Sequence, residues 1–196
     1  MTTFYLIRHA VNDYLGRAIA GRLPNVHLNA EGQGQAERLA AGFDLGVIER
    51  IFSSPMDRCL ETAAPLARRF GLKMEIDPGL NELDFGDWTD GTLAELSEQT
   101  AWKRWHAFRS GARMPGGERM IEVQARAVVA IHALAEQFRE GKLALVTHAD
   151  VVRALLLYYL GSPLDFINRV EITPASVSAL TLTEDSVQVL CVNRCW

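Results

Sequence analysis

Long apolar runs are missing from this sequence. The most notable one, residues 154–160, is far too short to span a bilayer, so no membrane-crossing segment is expected. The opening residues, Met-Thr-Thr-Phe-Tyr-Leu-Ile-Arg, lack a basic stretch followed by a long apolar one, and no secretory leader is expected there. An excess of positive charge is missing too. Twenty Lys and Arg stand against 24 Asp and Glu, and the formal net charge of −4 argues against broad nucleic-acid binding. Any anion site must therefore be a local gathering of cationic side chains. Cysteine is scarce. Cys59, Cys191 and Cys195 form neither a metal-ligand spacing nor an even disulfide framework, and they read as reduced thiols of a cytoplasmic protein. There is no Gly-rich Walker loop, no kinase motif set and no metal-ligand motif. With none of these motifs present, no metal and no cofactor are expected.

What is present reads as a globular protein. Hydrophobic residues make up 48% and charged residues 22%, and 196 residues fit one domain with a substantial core. No repeat or linker divides the chain, so residues 1–196 are expected to form a single domain. Strand-like and helix-like segments alternate, which predicts an α/β layered fold. Strands are expected at residues 4–7, 48–53, 73–76 and 143–146, the last a continuous apolar run typical of a central parallel strand. Asn29 is a candidate N-cap for a helix carrying Ala36, Leu39, Ala40 and Phe43. Ser54 and Pro55 predict the cap and first position of another, with Cys59, Ala63, Leu66, Ala67 and Phe70 as its buried stripe. Residues 81–91 read as a long functional loop. Thr92 and Glu95 resemble a capping box opening a helix that runs through Trp102 and Trp105. Ile121, Ala125, Val128, Val129, His132 and Ala135 are read as the buried face of a long helix, with His132 at the core edge. A helix is expected at about residues 151–160. Two alternating strands, residues 177–182 and 187–192, joined by a tight turn, close the chain as an antiparallel edge.

Three basic sites fall where predicted strands end. Arg8 and His9 follow the first strand, Arg58 lies in the first turn after the second, and His148 follows residues 143–146. The carboxyl ends of parallel strands form the ligand crevice of an open α/β sheet, and helix N-termini there add unpaired N–H groups. Two arginines and two histidines converging at that edge make an anion site. Any one of these residues alone would ordinarily be structural or exposed; the convergence is what carries the reading.

The chain resembles the histidine phosphatase superfamily, also called the phosphoglycerate mutase-like family. The matching stretches are Leu6-Ile-Arg-His-Ala10, Ser53-Ser-Pro-Met-Asp-Arg58 through Thr62-Ala63, Asn81-Glu-Leu-Asp-Phe-Gly86, Pro115-Gly-Gly-Glu118, and Val146-Thr-His-Ala149 with Arg153. Gly21-Arg22 and residues 28–32 also resemble the family's early loop and the start of its second element. No single one of these is specific; their order and spacing are.

The resemblance implies a three-layer αβα sandwich with a mostly parallel sheet and an antiparallel edge, carrying a cap insert at about residues 86–117. It implies that His9 is the nucleophile that becomes phosphohistidine. Arg8 and Arg58 would clamp the phosphate, whose oxygens match the planar guanidinium fork. His148 would donate to the transferring phosphoryl group. Glu82 would be the general acid, ahead of Asp84 and Asp87, its protonated form favoured beside an anionic phosphate. Asn12 and Arg22 are further phosphate-binding candidates.

Some positions depart from the family pattern. Ala10 stands where glycine is usual, Val11 to Leu15 replace the common continuation, and Ala149-Asp150 replace glycines. Thr89, next to Asp90, replaces the usual Glu. An aspartate at 150 would tune His148 or repel very anionic ligands. The expected function is hydrolysis of a small phosphorylated metabolite. The alternatives are a phosphoglycerate mutase-type transfer, or a catalytically weak module that only binds phospho-ligands. Neither nucleic acid nor membrane is expected as a partner. Trp88, Trp102, Trp105 and Phe108 either cover the site as a recognition surface or pack the insert onto the sheet.

Overall fold

Alternation along two strands decides the centre of the molecule. In β1 (Thr2–Arg8), Phe4 and Leu6 face one side, Tyr5 and Ile7 the other, and all four are buried. Leu143 and Leu145 of the strand at Lys142–Thr147 likewise oppose Ala144 and Val146. Strands apolar on both faces must be covered on both, as in a buried parallel sheet.

The computed structural model describes all 196 residues. Its other strands are β2 (Arg50–Ser53), β3 (Met74–Ile76), β5 (Val177–Leu182) and β6 (Val187–Arg194), with Lys142–Thr147 as β4. They form one sheet in the order β3-β2-β4-β1-β5-β6. The first four strands of the chain are parallel; β5 and β6 are antiparallel. The helices are α1 (Ala30–Gly42), α2 (Asp57–Phe70), α3 (Leu93–Ser97), α4 (Thr100–Ala107), α5 (Met120–Gln137) and α6 (Ala149–Tyr159). Leu39 of α1 and Ala63 and Leu66 of α2 seal one face of the sheet. Ile131 of α5 and Leu155 of α6 seal the other, together with Trp105 of α4. The result is the expected α/β sandwich with an antiparallel edge. No helix is long and apolar enough to cross a membrane.

Local details differ from the expectations. Asn29 does cap α1, accepting from the Gly32 N–H at 3.0 Å. Ser54 does not cap α2, which begins at Asp57 after an N-cap at Met56. The Ser54 hydroxyl has a closer partner, His148, at 2.8 Å. The Thr92–Glu95 capping box is present, but the helix it opens stops after five residues, and Gln99 starts α4 as a second N-cap. On α5 the buried stripe is Met120, Val123, Ala127, Val128, Ala130, Ile131 and Leu134, while Ile121 and Val129 are exposed. This helix is apolar over much of its circumference, so periodicity alone left its rotation one residue out of phase. His132 is consequently exposed rather than at the core edge.

Candidate active site

Parallel pairing brings the ends of β1, β2 and β4 to one edge of the sheet, in register Arg8↔Thr147 and Ser53↔Val146. His9, Ser54 and His148 each follow a strand end directly, and α2 and α6 start just beyond. The two imidazoles stand 5.2 Å apart between ring centres, inclined at 64°. Both are buried.

A hydrogen bond fixes the tautomer of His9. Its Nδ1 lies 2.8 Å from the Ala10 carbonyl, which can only accept, so Nδ1 carries the proton and Nε2 is left with its lone pair. Burial, then the neighbouring His148 imidazole and the charges of Arg58 and Arg8, hold the His9 pKa well below the usual histidine value. His9 is therefore neutral at pH 7. Ala10 does not have positive φ, so the loss of the usual glycine there costs nothing in backbone conformation. Its N–H donates to Thr62 Oγ1 at 2.9 Å, and the Thr62 hydroxyl donates to the Arg58 carbonyl at 2.6 Å, tying the loop after His9 to α2.

Arg58 is 1% exposed, and its Nη2 donates to the Gly21 carbonyl at 2.8 Å. Its Nε and Nη1, and the Nε of Arg8, are buried with no partner in the protein. The Arg8 guanidinium is anchored through Nη1 to the Ile172 carbonyl at 2.6 Å. Buried donors are normally satisfied, and these belong to two cations beside a cavity, which calls for an oxyanion.

Glu82 completes the cluster. Oε1 accepts from the Leu83 N–H at 2.9 Å, and Oε2 lies 3.2 Å from His148 Nδ1 and 3.9 Å from Arg58 Nη2. Burial pushes its pKa up, but His148, Arg58 and the Leu83 N–H together outweigh this and hold it well below the usual carboxylate range. The free protein thus carries Glu82 ionised. An ionised carboxylate only accepts, so His148 Nδ1 is the donor of that bond, and its Nε2 accepts from the Ser54 hydroxyl at 2.8 Å. Burial keeps the His148 pKa below its usual value, although Glu82 pulls it up. His9, Glu82 and His148 offer donor atoms within 4.8 Å of one another, a spacing that would suit a metal ion in isolation. With Arg8 and Arg58 facing the same space, the field there favours an anion over a cation.

A cavity of about 180 Å³ opens onto this cluster, lined by Arg8, His9, Asn12, Arg58 and Glu82, with an outer wall drawn from residues 14–21 plus Phe85 and Leu93. Two larger clefts of about 690 Å³ lie elsewhere, one lined by Glu49, Arg50 and Arg139 and the other by His132, Arg139 and Glu184 among others. They lack any converging set of groups, so the smaller cavity is the candidate site.

The structure places Asn12 at the cavity, buried, with Oδ1 accepting from the Tyr14 N–H at 3.0 Å. Arg22 lies outside the lining. Its Nε donates to the Glu82 carbonyl at 2.8 Å and its Nη2 to Glu118 at 2.9 Å, so it braces the Glu82 loop instead of facing the cavity. Asp150 is held between Arg109 at 3.1 Å and Arg153 at 3.0 Å. Trp88 and Trp105 are buried and Trp102 packs against them, so these rings belong to the core of the insert. Sequence reasoning missed the Ser54–His148 bond, the outer wall at residues 14–21, and Arg109, which stacks 3.4 Å above Trp105. The only hint of Arg109 was Asp150 itself, a carboxylate near the site in need of a cation.

The sequence matches the histidine phosphatase superfamily (branch 1) over residues 4–194. The chain belongs to the histidine phosphatase superfamily. Among its relatives, the "Probable phosphoglycerate mutase GpmB" of Proteus mirabilis is 30% identical over 183 residues, covering 91% of this chain and 84% of that protein. The mycobacterial glucosyl-3-phosphoglycerate phosphatase Rv2419c superposes with a TM-score of 0.88 at 25% identity, over 97% of this chain and 98% of its own. Bacillus stearothermophilus YhfR gives a TM-score of 0.90 at 25% identity, over 97% and 96%. This member of the superfamily thus matches a phosphatase-named structure over nearly its whole length and a mutase-named relative in sequence.

Proposed function

We propose that the protein is a phosphomonoesterase that works through a phosphohistidine on His9, with neither metal nor cofactor. The observation that carries this is the set of unpartnered donors on Arg8 and Arg58 around the same cavity as His9, whose Nδ1–H is held by Ala10 so that Nε2 is free. The arginines bind the phosphoryl oxygens, and their charge and that of the bound phosphate offset each other. Negative charge arriving beside Glu82 raises its pKa and lets it take up a proton. His9 Nε2 attacks phosphorus, the N–P bond forms as the P–O ester bond breaks, and Glu82 passes its proton to the departing oxygen. Water then attacks phosphorus, its proton goes to the Glu82 carboxylate, the N–P bond breaks back onto His9, and inorganic phosphate leaves. His148 Nδ1–H, bonded to Glu82 in the free protein, is the donor available to the transferring group. Asn12 offers its amide N–H groups to the same oxyanion. Arg22 acts one step back, by holding the Glu82 carbonyl. Residues 1–196 work as one domain, with 86–117 as its insert.

Incubation with p-nitrophenyl phosphate tests this. Steady phosphate release that disappears in His9→Ala, together with an acid-labile phosphoprotein trapped by rapid quench, is the expected result. Tight binding without turnover would leave only a phospho-ligand-binding module. The relative named as a phosphoglycerate mutase motivates a second reading. It predicts interconversion of phosphoglycerate isomers with little free phosphate released.

A further inference from the structure

The side of the cavity away from the phosphate cluster carries no charge. Its wall is Tyr14, Leu15, Ala18, Ile19, Phe85 and Leu93. Arg8 and Arg58 are the only cations among the lining residues, and both lie in the cluster with His9. Arg22 is committed to the Glu82 carbonyl and Glu118. Arg17 sits in the same loop, but its side chain is exposed and outside the lining. A second anionic group on a ligand would thus meet apolar surface, with Glu82 the one charged lining residue besides the two arginines. Burying an unpaired charge there is strongly unfavourable.

This wall is also held in place. Residues 17–19 are pinned to residues 90–93 by three backbone hydrogen bonds: Ile19 N–H to Gly91 O at 3.0 Å, Asp90 N–H to Ile19 O at 2.8 Å, and Leu93 N–H to Arg17 O at 2.9 Å. The Tyr14 hydroxyl adds a fourth, donating to Asp90 Oδ1 at 2.9 Å. A wall so tied does not need to be ordered by the ligand, which lowers the entropic cost of binding. The cavity, at about 180 Å³, is smaller than pockets that enclose drug-sized ligands. It holds a phosphoryl group and the atoms next to the ester oxygen, and leaves the rest of a larger substrate outside. Leu15, 41% exposed, stands at its mouth.

From this we infer that the substrate is a monophosphate ester of an uncharged alcohol with an apolar or aromatic face next to the ester oxygen, and that carboxylate-bearing or doubly phosphorylated compounds are disfavoured. The inference rests on the phosphatase reading for its reaction, but the ligand preference can be measured apart from turnover. Benzyl phosphate and 3-phosphoglycerate, both alkyl esters, are compared by kcat/KM, with His9→Ala as background. Calorimetric binding of benzylphosphonate and of phosphonoacetate to the wild type supplies the second arm. Benzyl phosphate is expected to be preferred at least tenfold, benzylphosphonate to bind more tightly, and Ile19→Lys to move the kcat/KM ratio at least tenfold toward 3-phosphoglycerate. His9-dependent phosphate release with equal or reversed preference overturns the inference and leaves the phosphatase reading standing. Where neither ester is cleaved, p-nitrophenyl phosphate decides the phosphatase reading and the phosphonates decide the inference, tighter phosphonoacetate binding refuting it and tighter benzylphosphonate binding supporting it.

Discussion

His148 Nδ1 lies 3.2 Å from Glu82 Oε2, so the proposed proton donor of the reaction is an ionised acceptor before any ligand arrives. Acid catalysis then requires a proton to enter with the phosphate group. Phosphate binding near pH 7 should therefore be accompanied by net proton uptake, seen as a binding enthalpy that changes with the ionisation heat of the buffer. Glu82→Gln should remove most of that dependence and lower kcat by roughly 10²–10⁴-fold. Buffer-independent enthalpies in the wild type would rule this role out.

His9 leaves a mark on stability as well as on rate. Its pKa is depressed in the fold, chiefly by burial, whereas in the unfolded chain it titrates near 6.5. Below pH 6.5 the unfolded chain takes up a proton that the folded chain refuses, so stability falls as pH falls, by at most about 1.4 kcal/mol per pH unit for this one group. Above pH 6.5 the effect vanishes. His9→Asn should accordingly lose less stability than the wild type between pH 8 and pH 5, as read from urea midpoints. Parallel curves for the two proteins would contradict the burial of a neutral imidazole.

Arg58→Lys keeps the charge but loses the fork. A lysine cannot hold the Gly21 carbonyl and two phosphoryl oxygens together, so kcat/KM for an aryl phosphate should fall by about 10²-fold or more. The melting temperature should shift only by a few degrees. A loss of less than tenfold would mean that point charge alone is enough at this position.

Arg109 is buried across Asp150 and over Trp105, which makes it a link between the insert and the first turn of α6. Arg109→Ala leaves Asp150 with Arg153 as its remaining partner and opens a gap beside the indole. A loss of about 3 kcal/mol is expected in denaturant titrations, at the low end for breaking a buried pair. Because α6 starts right after His148, kcat should fall more than KM rises. An unchanged unfolding midpoint would show that the pair contributes nothing.

Gly32 of α1 backs directly onto the loop after His9. A Cβ there would sit 2.0 Å from the Val11 carbonyl oxygen, so Gly32→Ala must displace either α1 or residues 10–12. The expected cost is about 1–3 kcal/mol, with reduced activity at temperatures where the fold is intact. Wild-type turnover in this variant would show that the loop yields freely.

Much of this was legible in the residues. Continuous apolar runs such as Leu143–Val146 announce a doubly covered strand, and a histidine or arginine just past such a strand has to lie at its carboxyl edge. What escaped the sequence depends on three-dimensional partners. The charge state of Glu82 is set by His148, Arg58 and the Leu83 N–H, and all but the last lie far away along the chain. Arg22 looked free until Glu118 and the Glu82 carbonyl claimed it. The rotation of α5 was ambiguous because apolar residues occupy most of its turns, and only the core it packs into selects Met120 and Val123 over Ile121 and Val129.

The strand order has a consequence for biogenesis. β1 and β2 do not pair with each other; β4, from the last third of the chain, is the neighbour they share. On the ribosome, a nascent chain that has not yet emerged past residue 147 holds two apolar strands with no central partner to join them. The cluster around His9 and His148 therefore assembles late in synthesis and all at once, and the growing polypeptide depends until then on protection from association with other exposed strands.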